Sequence, residues 1–125
     1  MLQARMMKPK EIVIERVEKP AVTPGHVLLR VGEIGICGSD IHVYHGKHPY
    51  TSYPVIQGHE FSAEIAEVGA GVEGLAVGQL VTVQPQVTCG SCYACRNGRY
   101  NICDHLKVMG FQTDGAAREY FLVPA

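Results

Sequence analysis

Cys89-Gly-Ser-Cys92-Tyr-Ala-Cys95-Arg-Asn-Gly-Arg-Tyr-Asn-Ile-Cys103 carries four of the chain's five cysteines, spaced C-x2-C-x2-C-x7-C. Thiolates this close together on a glycine-bearing loop can converge on one ion, and Zn²⁺ takes four sulfurs tetrahedrally at about 2.3 Å. The alternatives are local disulfides or plain buried thiols. Cysteines so near in sequence rarely reach good disulfide geometry. A ferredoxin-type cluster usually has a shorter last gap followed by Pro, whereas Asp104 follows Cys103. The spacing predicts a lobe, residues 89–103, folded around one structural zinc held by Cys89, Cys92, Cys95 and Cys103.

Outside the lobe, composition bounds the answer. The chain has 125 residues, enough for a single core, and a formal charge of -1. That balance gives no reason to expect nucleic acid or an anionic membrane as partner. Glycine is abundant at 14 and lies among short Val/Ile-rich runs, which favours β-structure with tight turns. Residues 1–16 carry charges throughout and have no apolar core of signal-peptide length. The longest uncharged stretch, Gly74 to Cys95, is broken by glutamines, Pro85 and glycines and does not read as a membrane span. Clustered cysteines with no export signal point to the reducing cytoplasm.

Glu11-Ile-Val-Ile-Glu-Arg-Val-Glu18 has apolar residues at 12, 14 and 17 and reads as a strand with one wet face. Pro20, Pro24 and Gly25 mark a turn. Val27–Val31 is a strand running on towards Ile34-Gly-Ile-Cys37. A helical turn is expected from Ser39 to Tyr44, capped by Ser39 or Asp40. Residues 46–54 form a loop holding His48, Tyr50 and Tyr53. Residues 61–68, 80–83 and 119–123 read as strands, with the cysteine lobe as an excursion between them. Gly69-Ala-Gly71-Val-Glu-Gly74 matches G-x-G-x-x-G, but a dinucleotide fingerprint needs that turn to open a helix. Here Leu75-Ala-Val-Gly-Gln-Leu-Val-Thr-Val83 follows, and a second strand is expected instead. No cofactor-binding residue is therefore assigned.

A second cluster is Gly35-Ile-Cys37-Gly-Ser39-Asp40-Ile-His42 with Gly58-His59-Glu60. Cys, His and Glu are the ligand types of a catalytic zinc. Spacing does not show that Cys37 and His59 meet, and an inert buried thiol and a hydrogen-bonded core histidine are the plain alternatives. Taken with Gly69, Gly71, Gly78 and the cysteine lobe, these motifs resemble the N-terminal part of the zinc-dependent medium-chain dehydrogenases. The resemblance covers nearly the whole chain, in order. Gly38-Ser39-Asp40, Val108–Gly115 and Glu119-Tyr120 are more similar to the polyol, sugar-acid and threonine dehydrogenases than to the simple alcohol dehydrogenases.

The resemblance implies a mainly β fold with short helices, a GroES-like barrel bearing the zinc lobe, as one catalytic domain over residues 1–125. It implies a separate Rossmann domain for NAD or NADP, absent from this chain. Cys37 and His59 would ligate a catalytic zinc, with Glu60 a direct ligand or a group that swings onto the metal. Asp40 would accept the free ring N–H of His59. Ser39 would take the substrate hydroxyl proton and His42 would pass it towards solvent through the cofactor ribose. A bound zinc lowers the pKa of coordinated water from roughly 15.7 to about 7, and an alcohol should respond similarly. The plain readings are a helix-capping Ser39, a capping Asp40 and a surface His42. His26, His45, His48 and His105 read as surface residues; Tyr44, Tyr50 and Val87 are cleft candidates, though loop aromatics more often pack.

The sequence departs from the family at Ala63, at Gln79 after Gly78, and at Ala116 after Asp114-Gly115. These bear on local turns and packing, not on the ligands. A dinucleotide domain would need on the order of 100–200 further residues, so the chain is expected to be part of a longer enzyme. That enzyme would act on a small alcohol, polyol or sugar acid and form a homo-oligomer. Two other classes remain. One is a non-catalytic zinc module for a protein or nucleic acid, although Arg96 and Arg99 are the lobe's only cations. The other is a chaperonin-like structural barrel, which leaves Cys37, His59 and Glu60 without a role.

Overall fold

The computed structural model describes residues 1–125. Strands β1 (Leu2–Lys8) and β2 (Glu11–Arg16) form an antiparallel hairpin. β3 (His26–Gly35), β4 (Glu60–Val68), β5 (Leu80–Thr82) and β8 (Tyr120–Pro124) make a four-stranded sheet in the order β5-β4-β3-β8. Helix α1 (Gly38–Tyr44) leaves the end of β3. β6 (Gln86–Val87) and β7 (Lys107–Val108) pair as a short stem, and the lobe beyond it carries α2 (Tyr93–Arg96).

β3 organises the sheet because Val27, Leu28 and Leu29 are buried in succession, as a strand covered on both faces requires. Val27 and Leu29 join Phe61, Ala63, Ile65, Phe121 and Val123 in the larger core. A smaller core of Met6, Val43, Val55 and Phe111 ties the hairpin to α1 and to the segment after the lobe. Truncating Ile65, fully buried, should cost about 2–5 kcal/mol through lost burial plus a cavity.

Two expectations need correction, and one strand went unread. β1 pairs with β2 but carries charged residues between its apolar ones, and the sequence reading did not identify it as a strand. β2 does not bury one face: Ile12, Val13 and Ile14 are all exposed, because its one strand partner is β1. Helix α1 starts at Gly38, and its N-cap is Cys37 rather than Ser39 or Asp40. Asp40 lies at the third helical position, and its Oδ2 accepts the Cys37 backbone N–H at 2.9 Å.

The Gly69–Gly74 segment is a turn between β4 and β5, with Gly71 and Gly74 at positive φ and no helix following. A Cβ at Gly69 would lie 2.1 Å from the Thr23 carbonyl oxygen, so the glycine serves a close backbone approach rather than a phosphate. The three departures are absorbed. Ala63 and Ala116 are buried in the larger core, and Gln79 Oε1 accepts the Ala76 N–H at 3.2 Å.

Candidate functional site

The register of one strand pair builds the first cluster. β3 and β4 run antiparallel with Gly35 opposite Glu60. Cys37, two residues past that pair, therefore meets His59, one residue before β4. Residues 38–58 leave and return between them as α1 and its following loop. One ligand atom from each of Cys37, His59 and Glu60 lies within 4.8 Å of the others.

Behind this cluster, His59 and Asp40 are each 11% exposed in their side chains, with His59 Nδ1 and Asp40 Oδ1 3.5 Å apart. That Nδ1 is buried with no hydrogen-bond partner. A buried, unpaired ring nitrogen costs about 1–3 kcal/mol, and the acceptor this one faces is the Asp40 carboxylate. With Nδ1 turned to Asp40, Nε2 is left for the cluster. Asp40 thus holds the backbone of Cys37 with one oxygen and faces His59 with the other. Gln57 Nε2 donates to both the Asp40 carbonyl oxygen and Oδ1, at 3.2 Å each. Nothing in the sequence had pointed to Gln57.

Three glycines set His59 in place. Gly58 has φ +93° and Gly110 has φ +86°. The Gly115 N–H donates to the Ile56 carbonyl at 2.7 Å, and Ala116 N–H donates to the Gly58 carbonyl at 2.8 Å. A Cβ on Gly115 would sit 2.3 Å from the Gly58 oxygen. The strap after Gly110 therefore crosses directly behind the turn that presents His59.

In front of the cluster lies a cleft of about 500 Å³. Ser39, His48, Tyr50 and His59 line it with Gln112, and Leu106, Val108 and Phe111 supply its apolar surface. The Phe111 ring packs against both imidazoles, 4.6 Å from His48 and 4.8 Å from His59. His48, read from sequence as a surface residue, is a cleft residue. Tyr50, a cleft candidate with packing as the plainer alternative, lines the cleft. Tyr44 instead packs against the smaller core, and Val87 is exposed outside the cleft. His42 is exposed in the last turn of α1 and makes no hydrogen bond with Ser39.

The second cluster is the lobe. One sulfur from each of Cys89, Cys92, Cys95 and Cys103 lies within 4.8 Å of the rest, and none is in a disulfide. Cys89 Sγ is 3.6 Å from Cys103 Sγ and 4.0 Å from Cys95 Sγ. A tetrahedron with bonds of about 2.3 Å has edges of about 3.8 Å, so the donor set fits zinc. Backbone N–H groups of Cys89, Cys92, Cys95 and His105 point at these sulfurs, at 3.4–3.5 Å. The N–H groups of Ser91 and Cys92 bring the Cys89 thiol down to about 6, whereas burial pushes Cys95 up to about 12. At the first cluster the donors are one thiol, one imidazole and one carboxylate, a set that also suits zinc with a position left open.

The sequence model for the alcohol dehydrogenase GroES-like domain matches residues 23–125. The chain belongs to that family, within the zinc-type medium-chain alcohol dehydrogenases. Similar curated proteins include the starvation-sensing protein RspB of Escherichia coli K12, 46% identical over 118 residues, covering 94% of this chain and 35% of that protein. L-threonine 3-dehydrogenase of Pyrococcus abyssi is 46% identical over 118 residues, covering 92% and 33%. An alcohol dehydrogenase from E. coli CFT073, solved with NADH, superposes with a TM-score of 0.91 at 44% identity, covering all of this chain and 36% of that one. The chain spans about a third of the length of the curated relatives it matches. The GroES-like fold expected from the motifs is the fold observed, and the 125 residues contain no βαβ unit. No helix is long and apolar enough to cross a membrane.

Proposed function

We propose that residues 1–125, with the lobe 89–103, are the catalytic domain of a zinc- and NAD(P)-dependent dehydrogenase that oxidises a small alcohol, polyol or sugar acid. The observation that carries the reading is the convergence of Cys37, His59 and Glu60 at one edge of a cleft that Ser39 also lines. These three residues would hold one zinc, and Cys89, Cys92, Cys95 and Cys103 a second. At the cleft a bound zinc would supply Lewis-acid polarisation of an alcohol oxygen.

The chain's own groups do the rest. Asp40 fixes Cys37 through its backbone and orients the His59 ring, so the ligands are set before substrate arrives. Ser39 Oγ takes the proton of the substrate hydroxyl. His42, exposed on the same short helix, passes it to solvent. Phe111, Leu106 and Val108 exclude water from the apolar wall. NAD or NADP would be bound by a Rossmann domain outside these residues. We place the enzyme in the cytoplasm as a homo-oligomer, with neither nucleic acid nor membrane as partner.

The test is an assay of the natural full-length protein with NAD and NADP over a panel of polyols, sugar acids and simple secondary alcohols. Turnover that is lost on chelation and in Ser39→Ala supports the reading. Zinc-loaded protein with no turnover on any alcohol contradicts it.

A further inference from the structure

We propose that His48 is a specificity-determining residue, and that with Gln112 it forms a subsite for a second, neutral hydroxyl group of the substrate. The inference deepens the dehydrogenase reading and rests on it. His48 is half-buried in the cleft wall and stacks on Phe111 with an interplanar angle of 23°. Phe111 also contacts the His59 ring. Both imidazoles therefore pack on one ring and line the same cleft, so one substrate in the cleft can meet both.

The hydrogen-bonding state of His48 sets the chemistry. Its Nδ1 is engaged by Thr51 Oγ1 at 2.8 Å, which leaves Nε2 as the free nitrogen. The threonine hydroxyl can rotate to donate or accept, so Nε2 can act as acceptor or donor in turn. A substrate hydroxyl matches either state, whereas a carboxylate matches only the donor. Gln112 adds a defined donor: its Oε1 is occupied by the Val108 N–H at 2.8 Å, leaving the NH₂ end free. Among residues 1–125, no Lys or Arg lines the cleft to balance a carboxylate. As these residues form it, the subsite favours a diol or polyol over a hydroxy acid, and over an alcohol with one hydroxyl, which would leave His48 Nε2 and the Gln112 NH₂ without a substrate partner.

The experiment uses the natural full-length enzyme and three four-carbon probes with the same reacting carbinol: vicinal butanediol, secondary butanol and hydroxybutanoate. Wild type should prefer the diol in kcat/KM. His48→Phe keeps an aromatic ring against Phe111 but removes Nε2. It should raise KM for the diol about tenfold, the loss of one to two hydrogen bonds, with kcat and the butanol kinetics little changed. His48→Gln should recover part of the loss, and Gln112→Leu should reproduce a smaller version of it. Equal changes for diol and butanol, no change for either, or a wild-type preference for butanol or hydroxybutanoate would overturn the proposal and leave the dehydrogenase reading standing. Oxidation of other alcohols without turnover of the diol would overturn it too. Failure of wild type on every alcohol would bring down the dehydrogenase reading, and the subsite with it.

Discussion

The lobe and the cleft are two ligand clusters made in opposite ways. The lobe draws four sulfurs from one stretch, residues 89–103, closed by the two-residue stem of β6 and β7. Its sulfurs receive N–H groups from residues inside or next to that stretch. The cleft cluster takes Cys37 from the N-cap of α1 and His59 and Glu60 from the start of β4. Its geometry depends on the β3–β4 register and on a strap whose sequence lies beyond the lobe. Locally closed ligands lose little loop entropy on ordering, whereas ligands joined by a long excursion depend on the whole fold. The lobe should therefore depend on its metal for structure, while the cleft holds its ligands in place by tertiary packing before metal arrives.

On the proposed assignment, the largest expected effect follows from loss of zinc at the lobe. Structural zinc contributes on the order of 10–16 kcal/mol in small thiolate domains, so Cys103→Ser should abolish lobe order. The larger core should survive, because it contains none of the four cysteines. Backbone NMR would show residues 89–103 collapsing to random-coil positions while β3 and β4 keep their dispersion. Retained lobe order in zinc-free protein would break the comparison.

Gly115→Ala should be the next largest. Its Cβ would meet backbone oxygen, which cannot swing aside as a side chain can. A loss of about 2–4 kcal/mol in urea unfolding is expected, the scale of core overpacking. Cleft-site zinc should weaken in parallel, while the lobe keeps its own. Gly71→Ala, with open space around it, should cost only the strain of its positive φ, about 1 kcal/mol.

Asp40→Asn sharpens the comparison without moving the backbone. The amide oxygen can still accept the Cys37 N–H, but the charge facing His59 is gone. Zinc affinity at the cleft should fall about 10–100-fold, the usual cost of losing such a support. Lobe affinity should not change, as isothermal titration with each site blocked in turn would show.

The two clusters also differed in how far the sequence exposed them. The lobe was legible because its ligands are neighbours: spacing alone grouped the cysteines that the structure brings together. The cleft cluster was legible only through family resemblance, since nothing local reports that Gly35 pairs with Glu60. Gln57, the Gly115 strap and the cleft position of His48 escaped for the same reason: their partners are distant in sequence. His48 did carry one signal, its place in a loop with Tyr50 and Tyr53. Strand β1 went unread although Leu2-Gln3-Ala4-Arg5-Met6 alternates apolar and polar residues: the run is short, and Met7 breaks the alternation where the register shifts between Met6 and Lys8. The Gly69–Gly74 turn shows the opposite case, where local chemistry sufficed: β-branched residues after the glycines ruled out a helix and the chain enters β5.

The central claim, two metal sites of unequal construction in one domain, is tested most directly by zinc release under chelator titration. Zinc-loaded protein should release metal in two phases. Cys37→Ser or His59→Ala should remove the first, weaker phase and leave the second untouched, and the second should vanish with any lobe cysteine. A single phase that disappears only when the lobe is mutated would show that Cys37, His59 and Glu60 hold no metal, and would contradict the account.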